Sequence, residues 1–463
     1  MPMTNTLTAG MERARELAAE LALDQALKYL NRNPDENLPR ILDFVERLAP
    51  DEGQKKNIRV LKKRLADDER AFAQIKRLAS NQKMLKNFMN IWVIKAIVLG
   101  GPHRNALMKR YNVHIPCAIL VDPTSACNLR CRGCWAGKYQ QMDRLEPELL
   151  NRILREAKDL GIYWIVFSGG EPFAYPELLD VVAEHPDLAF MAYTNGTLIY
   201  DKVADRLAEL ANFTPAISLE GWREETDARR GEGVFDKIVA TMDRLRERGI
   251  FFGASVTVTR QNIDTIFSDE FIDFLVDKGA VYAWSFHYIP VGRGPNLDMM
   301  ITPEQRAWLV ERVAQIRNTK PILIADFWND GHFTGGCIAG GKMYLHINAA
   351  GDVEPCAFAH FASDNIHDKS LLEVLSSPLF KAYQARQPFY KKSAYAPCPI
   401  IDVPQALRDI VAESGARPTH SGAEDVLTGT SAAFLDRRSA QWRQVADTLE
   451  ERYYGTEIKN VGK

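Results

Sequence analysis

The stretch CNLRCRGCWAG, residues 127–137, carries three cysteines in a C-x3-C-x2-C spacing: Cys127, Cys131 and Cys134. Three thiolates on one short loop can bind three irons of a cubane cluster and leave the fourth iron open. An open iron can bind a substrate or cosubstrate directly, which a fully ligated structural cluster cannot do. A zinc site is the alternative, but structural zinc usually takes four ligands from two paired motifs, so this loop fits zinc poorly.

Strand and helix patterns alternate outward from this loop. The apolar run CAILVD leads into it, and further strand patterns end in glycine or polar residues at 163–170, 188–196, 215–221, 251–259 and 282–292. This alternation predicts a parallel sheet with right-handed crossovers. Six strands are too few for a complete eight-stranded barrel. The sequence therefore predicts the α/β class, as a partial (β/α)6 TIM-like barrel with its site at the carboxyl ends of the strands.

The pattern divides the chain into four regions. Residues 1–112 are predicted to be helical, because apolar positions recur at three and four residues. The predicted barrel occupies residues 113–320. A small α+β region with a second group of cysteines follows at 321–405, where a hairpin turn is predicted at 348–352. Residues 406–463 form a charged, mostly helical tail.

Composition excludes several classes of protein. The 463 residues are 46% hydrophobic and 25% charged, which is ordinary for globular proteins. A net charge of -2 offers no basic surface, so nucleic acid is not an expected partner. The N-terminus lacks the apolar core of a signal peptide, and the seven cysteines then favour cytoplasmic thiols over disulfides. The apolar run IWVIKAIVLG, residues 91–100, is too short to span a bilayer.

Four motifs together resemble the radical SAM (S-adenosylmethionine) superfamily: CNLRCRGC at 127–134, SGGEP at 168–172, TNGT at 194–197 and SLEG at 218–221. The resemblance covers roughly residues 115–294 and extends more weakly to 398. It implies a [4Fe-4S] cluster on the three cysteines, with the open iron chelated by the amino and carboxylate groups of SAM. In this family one electron cleaves SAM to methionine and a 5′-deoxyadenosyl radical, which abstracts hydrogen from an unreactive carbon.

The resemblance also implies which residues hold SAM. Gly169, Gly170 and Glu171 would hold its amino group. Ser218 and Glu220 would contact the ribose, and Arg229 or its neighbour Arg230 the carboxylate. Asn195 contacts SAM or only shapes a turn, and the other polar residues could simply end strands or lie at the surface. The family usually has an aromatic residue before the third cysteine, near the adenine, but Gly133 stands there in this chain.

The second group of cysteines is Cys337, Cys356 and Cys398. Their arrangement resembles the start of the auxiliary-cluster domains called SPASM and twitch. The cysteine-rich continuation of a full SPASM domain is missing, which favours the twitch-like form. An auxiliary iron–sulfur cluster is therefore expected, the alternative being three buried thiols that act as small hydrophobes. Cys117 is predicted to be a packed core thiol.

The leading hypothesis is a radical SAM enzyme that acts on a peptide, a lipid or another natural-product precursor. Its expected partners are SAM and a one-electron donor such as flavodoxin or ferredoxin. The alternative is a zinc-stabilised binding or scaffold protein without SAM chemistry. His287, Tyr288, Asp326 and Asp330 are candidate substrate-facing groups or ordinary buried polar residues. The run at 91–100 could make peripheral contact with a membrane, but burial against the barrel is the favoured interpretation.

Overall fold

The computed structural model describes residues 24–30, 32–48, 55, 59, 62, 63, 65–139 and 143–455. The helical pattern predicted before residue 24, and the last residues of the tail, lie outside this part of the chain. No described helix is long and apolar enough to cross a membrane.

The N-terminal region is helical where it is described. Its helices are α1 (Pro34–Leu48), α2 (Glu69–Ser80), α3 (Gln82–Phe88), a π-helical segment (Met89–Leu99) and α4 (Gly100–Tyr111). Asp68 caps α2 by accepting hydrogen bonds from the backbone N–H groups of Arg70 and Ala71. The π-helical segment packs on the barrel through Trp92, whose ring centre lies 4.6 Å from that of Trp164.

The barrel contains seven parallel strands in chain order. They are β1 (Ala118–Val121), β2 (Trp164–Phe167), β3 (Ala189–Thr194), β4 (Phe213–Leu219), β5 (Gly253–Val258), β6 (Tyr282–His287) and β7 (Leu323–Asp326). The predicted partial barrel is confirmed, with one strand more than expected. Strand β7 joins it because Leu323 pairs in parallel register with Tyr282, after the same kind of helical crossover as the earlier strands.

Helices connect these strands and cover the sheet. They are α5 (Pro147–Asp159), α6 (Leu178–Glu184), α7 (Asp201–Leu210), α8 (Arg223–Arg230), α9 (Val234–Glu247), α10 (Ile263–Ile266), α11 (Asp269–Lys278) and α12 (Pro303–Thr319). The apolar faces of these helices bury one continuous core against the strands. All seven strands therefore end at the same edge, where their loops can meet.

The C-terminal part closes the open side of the barrel. Strands β8 (His346–Ile347) and β9 (Val353–Glu354) form the predicted hairpin, and β8 pairs in parallel with β1. The remaining elements are α13 (Gly331–Thr334), β10 (Phe361–Ala362), α14 (Leu371–Leu375), α15 (Pro378–Ala385), α16 (Pro404–Ser414), β11 (Arg417–Pro418) and α17 (Gly429–Tyr454). Helix α17 is fixed by Trp442, which is buried and lies under the guanidinium of Arg306 at 4.1 Å.

Candidate active site

A cavity of about 580 Å³ occupies the barrel and is lined by residues from β1 to β7 and from the C-terminal part. The three cysteines of the first loop all line it, as do Gly169, Gly170, Glu171, Asn195, Ser218 and Arg229. Glu220 is the one predicted SAM-binding residue that does not. The structure therefore brings most of the predicted site together at the carboxyl ends of the strands.

Backbone hydrogen bonds hold the cysteine loop in place. The N–H of Arg132 donates to the carbonyl of Arg229 at 2.9 Å, and the N–H of Arg293 donates to the carbonyl of Cys134 at 2.9 Å. These bonds tie the loop to the end of α8 and to the segment after β6. The protein alone therefore fixes the position of the loop at the cavity, without a bound ligand.

Burial opposes ionisation of the thiols in this loop. Desolvation raises the pKa of Cys127 to about 12 and also raises the pKa of Cys134. A positively charged iron–sulfur core would offset that penalty, since thiolates are the form that binds metal. Within the described residues, no group of three or more His, Cys, Asp or Glu is arranged to hold a single metal ion.

The SGGEP motif packs directly against the cysteine loop. Gly170 donates its N–H to the carbonyl of Thr124 at 3.0 Å, and Glu171 donates to the carbonyl of Ala126 at 2.8 Å. A Cβ atom on Gly170 would collide with the Ala126 carbonyl. Glycine is required here because two backbone segments approach more closely than a side chain allows.

The Glu171 carboxylate is engaged within the protein. One oxygen accepts hydrogen bonds from the hydroxyl of Thr194 (2.6 Å) and the N–H of Phe173 (3.1 Å), and the other accepts from the N–H of Asn195 (2.7 Å). Burial nevertheless raises the pKa of Glu171. Through these hydrogen bonds the Glu171 side chain links the end of β2 to the end of β3.

Asn195 connects the third strand to the cysteine loop. Its Nδ2 donates to Asn128 Oδ1 at 2.9 Å and lies 4.0 Å from Cys127 Sγ. Its Oδ1 accepts from the N–H of Thr197 at 2.9 Å, which is the turn-shaping contact that the Asn-Gly pair suggested. The side chain therefore shapes the turn and also contacts the cysteine loop.

Two arginines and one glutamate form a buried charged group beside the cavity. Glu220, 1% exposed, accepts from Arg229 and from Arg230, each at 2.5 Å. Burial would lower the pKa of Arg230, but the Glu220 carboxylate raises it. Two cations share one carboxylate, so the cavity wall carries an excess of positive charge that suits an anionic group.

Tyr288 is a site residue whose role the sequence did not reveal. It follows β6, lines the cavity, and lies where a side chain on Gly133 would be. The chain thus has an aromatic ring beside the third cysteine after all, supplied by another strand. The one signal was a glycine at the usual aromatic position, together with a tyrosine at a strand end.

A buried network next to the site was also missed. His346 on β8 lies 3.1 Å from Asp122 and 2.7 Å from Glu354, and Asp122 accepts from Ser168 at 2.6 Å. Although burial opposes it, the two carboxylates raise the pKa of His346 to about 10. The network joins the SGGEP motif to the β8–β9 hairpin. His287 and Asp326 form a second buried pair at 3.4 Å.

The second group of cysteines lies behind the cavity wall. Cys356 accepts from the hydroxyl of Tyr344 at 2.9 Å, and Tyr344 itself lines the cavity. Burial raises the pKa of Cys337, Cys356 and Cys398, and the charge of Cys337 adds to the effect on the other two. Cys337 is therefore close enough to each of the other two thiols to influence its ionisation.

Comparison with known proteins places these features in a family. The family model of the radical SAM superfamily matches residues 121–270, and that of the SPASM iron–sulfur cluster-binding domain matches residues 337–399. The second match contains the three cysteines of the second group and supports the auxiliary-cluster domain that the sequence resembles; the twitch-like form stays a prediction.

Relatives and solved structures agree with these matches. The chain is 31% identical to mycofactocin maturase MftC of Mycolicibacterium smegmatis, over 55% of this chain and 66% of that protein. It is 30% identical to MftC of Mycobacterium tuberculosis, over 54% of this chain and 68% of that protein. The chain thus spans about two thirds of these relatives. Streptococcus suis SuiB, bound to precursor peptide SuiA, has the same fold at a TM-score of 0.52 and 20% identity, over 61% of this chain and 70% of SuiB.

Proposed function

The chain belongs to the radical SAM superfamily, and on that premise we propose that it is an enzyme that abstracts hydrogen from a C–H bond of an organic substrate. The observation that carries the proposal is the convergence of the three cysteines, the SGGEP glycines and the Arg229–Arg230 pair on one cavity. Such a convergence of polar groups and perturbed thiols is the expected form of a catalytic site. The zinc-scaffold alternative has no comparable support.

The three thiolates of Cys127, Cys131 and Cys134 would hold the SAM-binding [4Fe-4S] cluster. The donor set fits, because three thiolates leave one iron for another ligand and a cationic core relieves the desolvation of the buried thiols. When bound, the cluster supplies the electron that splits SAM, whose carbon radical then takes a hydrogen atom from the substrate. An external one-electron donor such as flavodoxin or ferredoxin would reduce it.

The chain's own residues would bind and orient SAM. Arg229 and Arg230 face the cavity with excess positive charge, which suits the carboxylate of SAM. Glu220 holds these two side chains in position from behind, so its role is positioning rather than contact. Ser218, which lines the cavity and is 9% exposed, is available to the ribose.

Cys337, Cys356 and Cys398 would hold an auxiliary iron–sulfur cluster. The SPASM match and the influence of Cys337 on the other two thiols support this assignment. Tyr344 separates Cys356 from the cavity, so an auxiliary cluster there would be one side chain away from a bound substrate. That distance suits electron removal from a substrate better than direct ligation by it.

Anaerobic reconstitution with iron and sulfide tests the proposal. We expect the protein to take up iron, to absorb near about 400 nm, and to release 5′-deoxyadenosine from SAM under reduction. Uptake of a single zinc, with neither absorbance nor 5′-deoxyadenosine, would show that the proposed function is wrong.

A further inference from the structure

The cavity has two chemically different halves, and the proposed SAM site uses only one. Around the carboxyl ends of the strands the lining is polar and includes the cysteines, Asn195, Ser218 and Arg229. The other half is lined by apolar and aromatic side chains, Ala118, Trp164, Val166 and Trp284, and is bordered by Tyr193 and Phe286 near the ends of β3 and β6. The SAM chemistry does not explain why these side chains line the cavity.

The apolar half reaches the amino ends of the strands. Ala118 and Trp164 are the first residues of β1 and β2 and pair in register, and Leu323 is the first residue of β7. From Trp164 to Gly170 the chain advances six residues, or about 20 Å at the rise of a strand. Barrel interiors are normally filled by layers of side chains. Here the rings of Trp164 and Trp284 meet inside the barrel, 6.4 Å apart, and the cavity continues past them to residues of β1 and β7: Ala118, Leu120, Leu323 and Ala325.

The amino end of this path carries exposed apolar side chains. Leu323 is 65% exposed and Phe333 is 78% exposed, and both line the cavity. Arg317 pairs with Asp330 at 2.6 Å and lies 5.5 Å from the centre of the Phe333 ring. The segment Met89–Leu99 packs at this same end through Trp92 and exposes 66% of Ile97. Large apolar side chains are rarely left in water around a channel mouth unless they meet an apolar partner.

The apolar lining of this half of the cavity favours some classes of substrate over others. A peptide would bring backbone N–H and C=O groups into a region with few partners, and each unpaired group is costly. A tetrapyrrole would bring several carboxylates, but Arg317 is the cation that lines this end and it shares its charge with Asp330, so the mouth suits a single polar head rather than several carboxylates. A hydrocarbon chain has no polar groups to satisfy and gains from every methylene removed from water.

We propose that the substrate is an amphiphile whose long hydrocarbon chain enters between Leu323 and Phe333 and lies along the barrel towards the cysteine loop. The inference rests on the proposed function for the reaction but makes a claim about binding that is measured without turnover. The bound hydrocarbon chain places one of its C–H bonds in the polar half of the cavity. The polar head of the amphiphile stays at the mouth near Arg317 and Asp330.

Binding of cis-parinaric acid to the full-length, cluster-loaded protein tests this inference. Its fluorescence should rise on binding, and saturated fatty acids of increasing length should displace it. We expect affinity to increase about fourfold per added methylene until the channel is full. Ala325 lines the cavity beside Trp284, its register partner on β6, so Ala325→Phe should weaken binding at least about tenfold by displacing two or more methylenes.

A double variant at two exposed positions tests whether misfolding accounts for any loss of binding. Leu323→Glu with Phe333→Glu changes two solvent-exposed side chains and should also weaken binding at least about tenfold, since it places carboxylates at an apolar mouth. Tyr200→Glu, at a side chain 60% exposed that does not line the cavity, is the matched control and should bind as wild type. Thermal unfolding of each variant checks that the fold is retained.

The outcomes separate this inference from the proposed function. If the wild type releases 5′-deoxyadenosine but shows no dependence of affinity on chain length, the inference is wrong and the proposed function stands. Displacement by a porphyrin or a peptide, but not by fatty acids, would equally overturn it. Chain-length dependence without 5′-deoxyadenosine would support the channel and contradict the proposed reaction. A second experiment offers parinaroyl chains in phosphatidylglycerol vesicles. It shows whether the bound hydrocarbon chain is taken from a membrane or from solution.

Discussion

Tyr288 fills the space that a side chain on Gly133 would need. A Cβ atom at position 133 would lie 2.7 Å from Cε2 of the Tyr288 ring, and Gly133 has a φ of +62° that other residues rarely adopt. The Tyr288 hydroxyl accepts a hydrogen bond from the N–H of Asn296 at 3.0 Å, so the ring is held in place. Residues from two distant strand ends thus share the position beside the third cysteine.

The first prediction concerns this pair. Gly133→Ala should lower the affinity for SAM and the iron content, because it adds both backbone strain and a clash, together about 1–3 kcal/mol. Combining it with Tyr288→Ala should recover part of the loss, which a double-mutant cycle on SAM binding would measure. Gly101→Ala, where a Cβ atom meets nothing within 4 Å, is the control. Strict additivity of the two changes would contradict the pairing.

The second prediction concerns the SAM-binding cluster. Cys131→Ala should abolish formation of 5′-deoxyadenosine and reduce the iron content by about one cluster, because two thiolates cannot replace three. The half-buried Cys117, whose thiol donates to the carbonyl of Met343, lies outside this loop, and Cys117→Ala should keep the iron content of the wild type. Iron analysis and chromatography of the nucleoside measure both. Undiminished 5′-deoxyadenosine in Cys131→Ala would remove the loop from the mechanism.

The third prediction concerns the buried charges. Glu220→Gln leaves Arg229 and Arg230, which are 12% and 10% exposed, without their carboxylate. Unfolding in urea should then show a loss of about 3 kcal/mol, because uncompensated buried charge is costly. Glu224→Gln, at an exposed position in the helix that carries the two arginines, should change stability by less than about 0.5 kcal/mol. Equal stability of the two variants would show that the buried group does not stabilise the fold.

The fourth prediction concerns the second group of cysteines. Cys356→Ala should lower the iron content, while uncoupled cleavage of SAM continues at the first cluster. Tyr344→Phe removes the hydroxyl that donates to Cys356 but keeps every thiol, so its iron content should stay near that of the wild type. Iron and sulfide analysis compares the variants. Unchanged iron in Cys356→Ala would exclude an auxiliary cluster at these residues.

The fifth prediction concerns pH. His346 has a folded-state pKa of about 10, above its ordinary 6.5, because Asp122 and Glu354 stabilise the imidazolium against burial. Its contribution to stability is therefore fully present below about pH 6.5 and is lost as pH rises towards 10, by at most about 1.4 kcal/mol per pH unit. Unfolding midpoints measured across this range should fall in the wild type and fall less steeply in His346→Gln. Parallel profiles would contradict this assignment.

Much of the fold could be predicted because its signals are local. Alternating strand and helix patterns predicted the parallel sheet, and the turn after Ile347 predicted the β8–β9 hairpin. The seventh strand, Leu323–Asp326, lies in the region at 321–405 that the sequence analysis placed outside the barrel. Its membership depends on pairing with β6, which is a contact between distant parts of the chain.

The sequence by itself determined the position of the candidate centre, because three cysteines spaced within eight residues must share one loop and strand-end motifs must share one edge of a parallel sheet. Only the tertiary structure decided what surrounds that centre. Tyr288 meets Gly133, Glu220 lies behind two arginines, and Ala118, Trp164 and Leu323 line an apolar part of the cavity. These relationships depend on strand register and on the packing of residues far apart in the chain, neither of which a single sequence encodes locally.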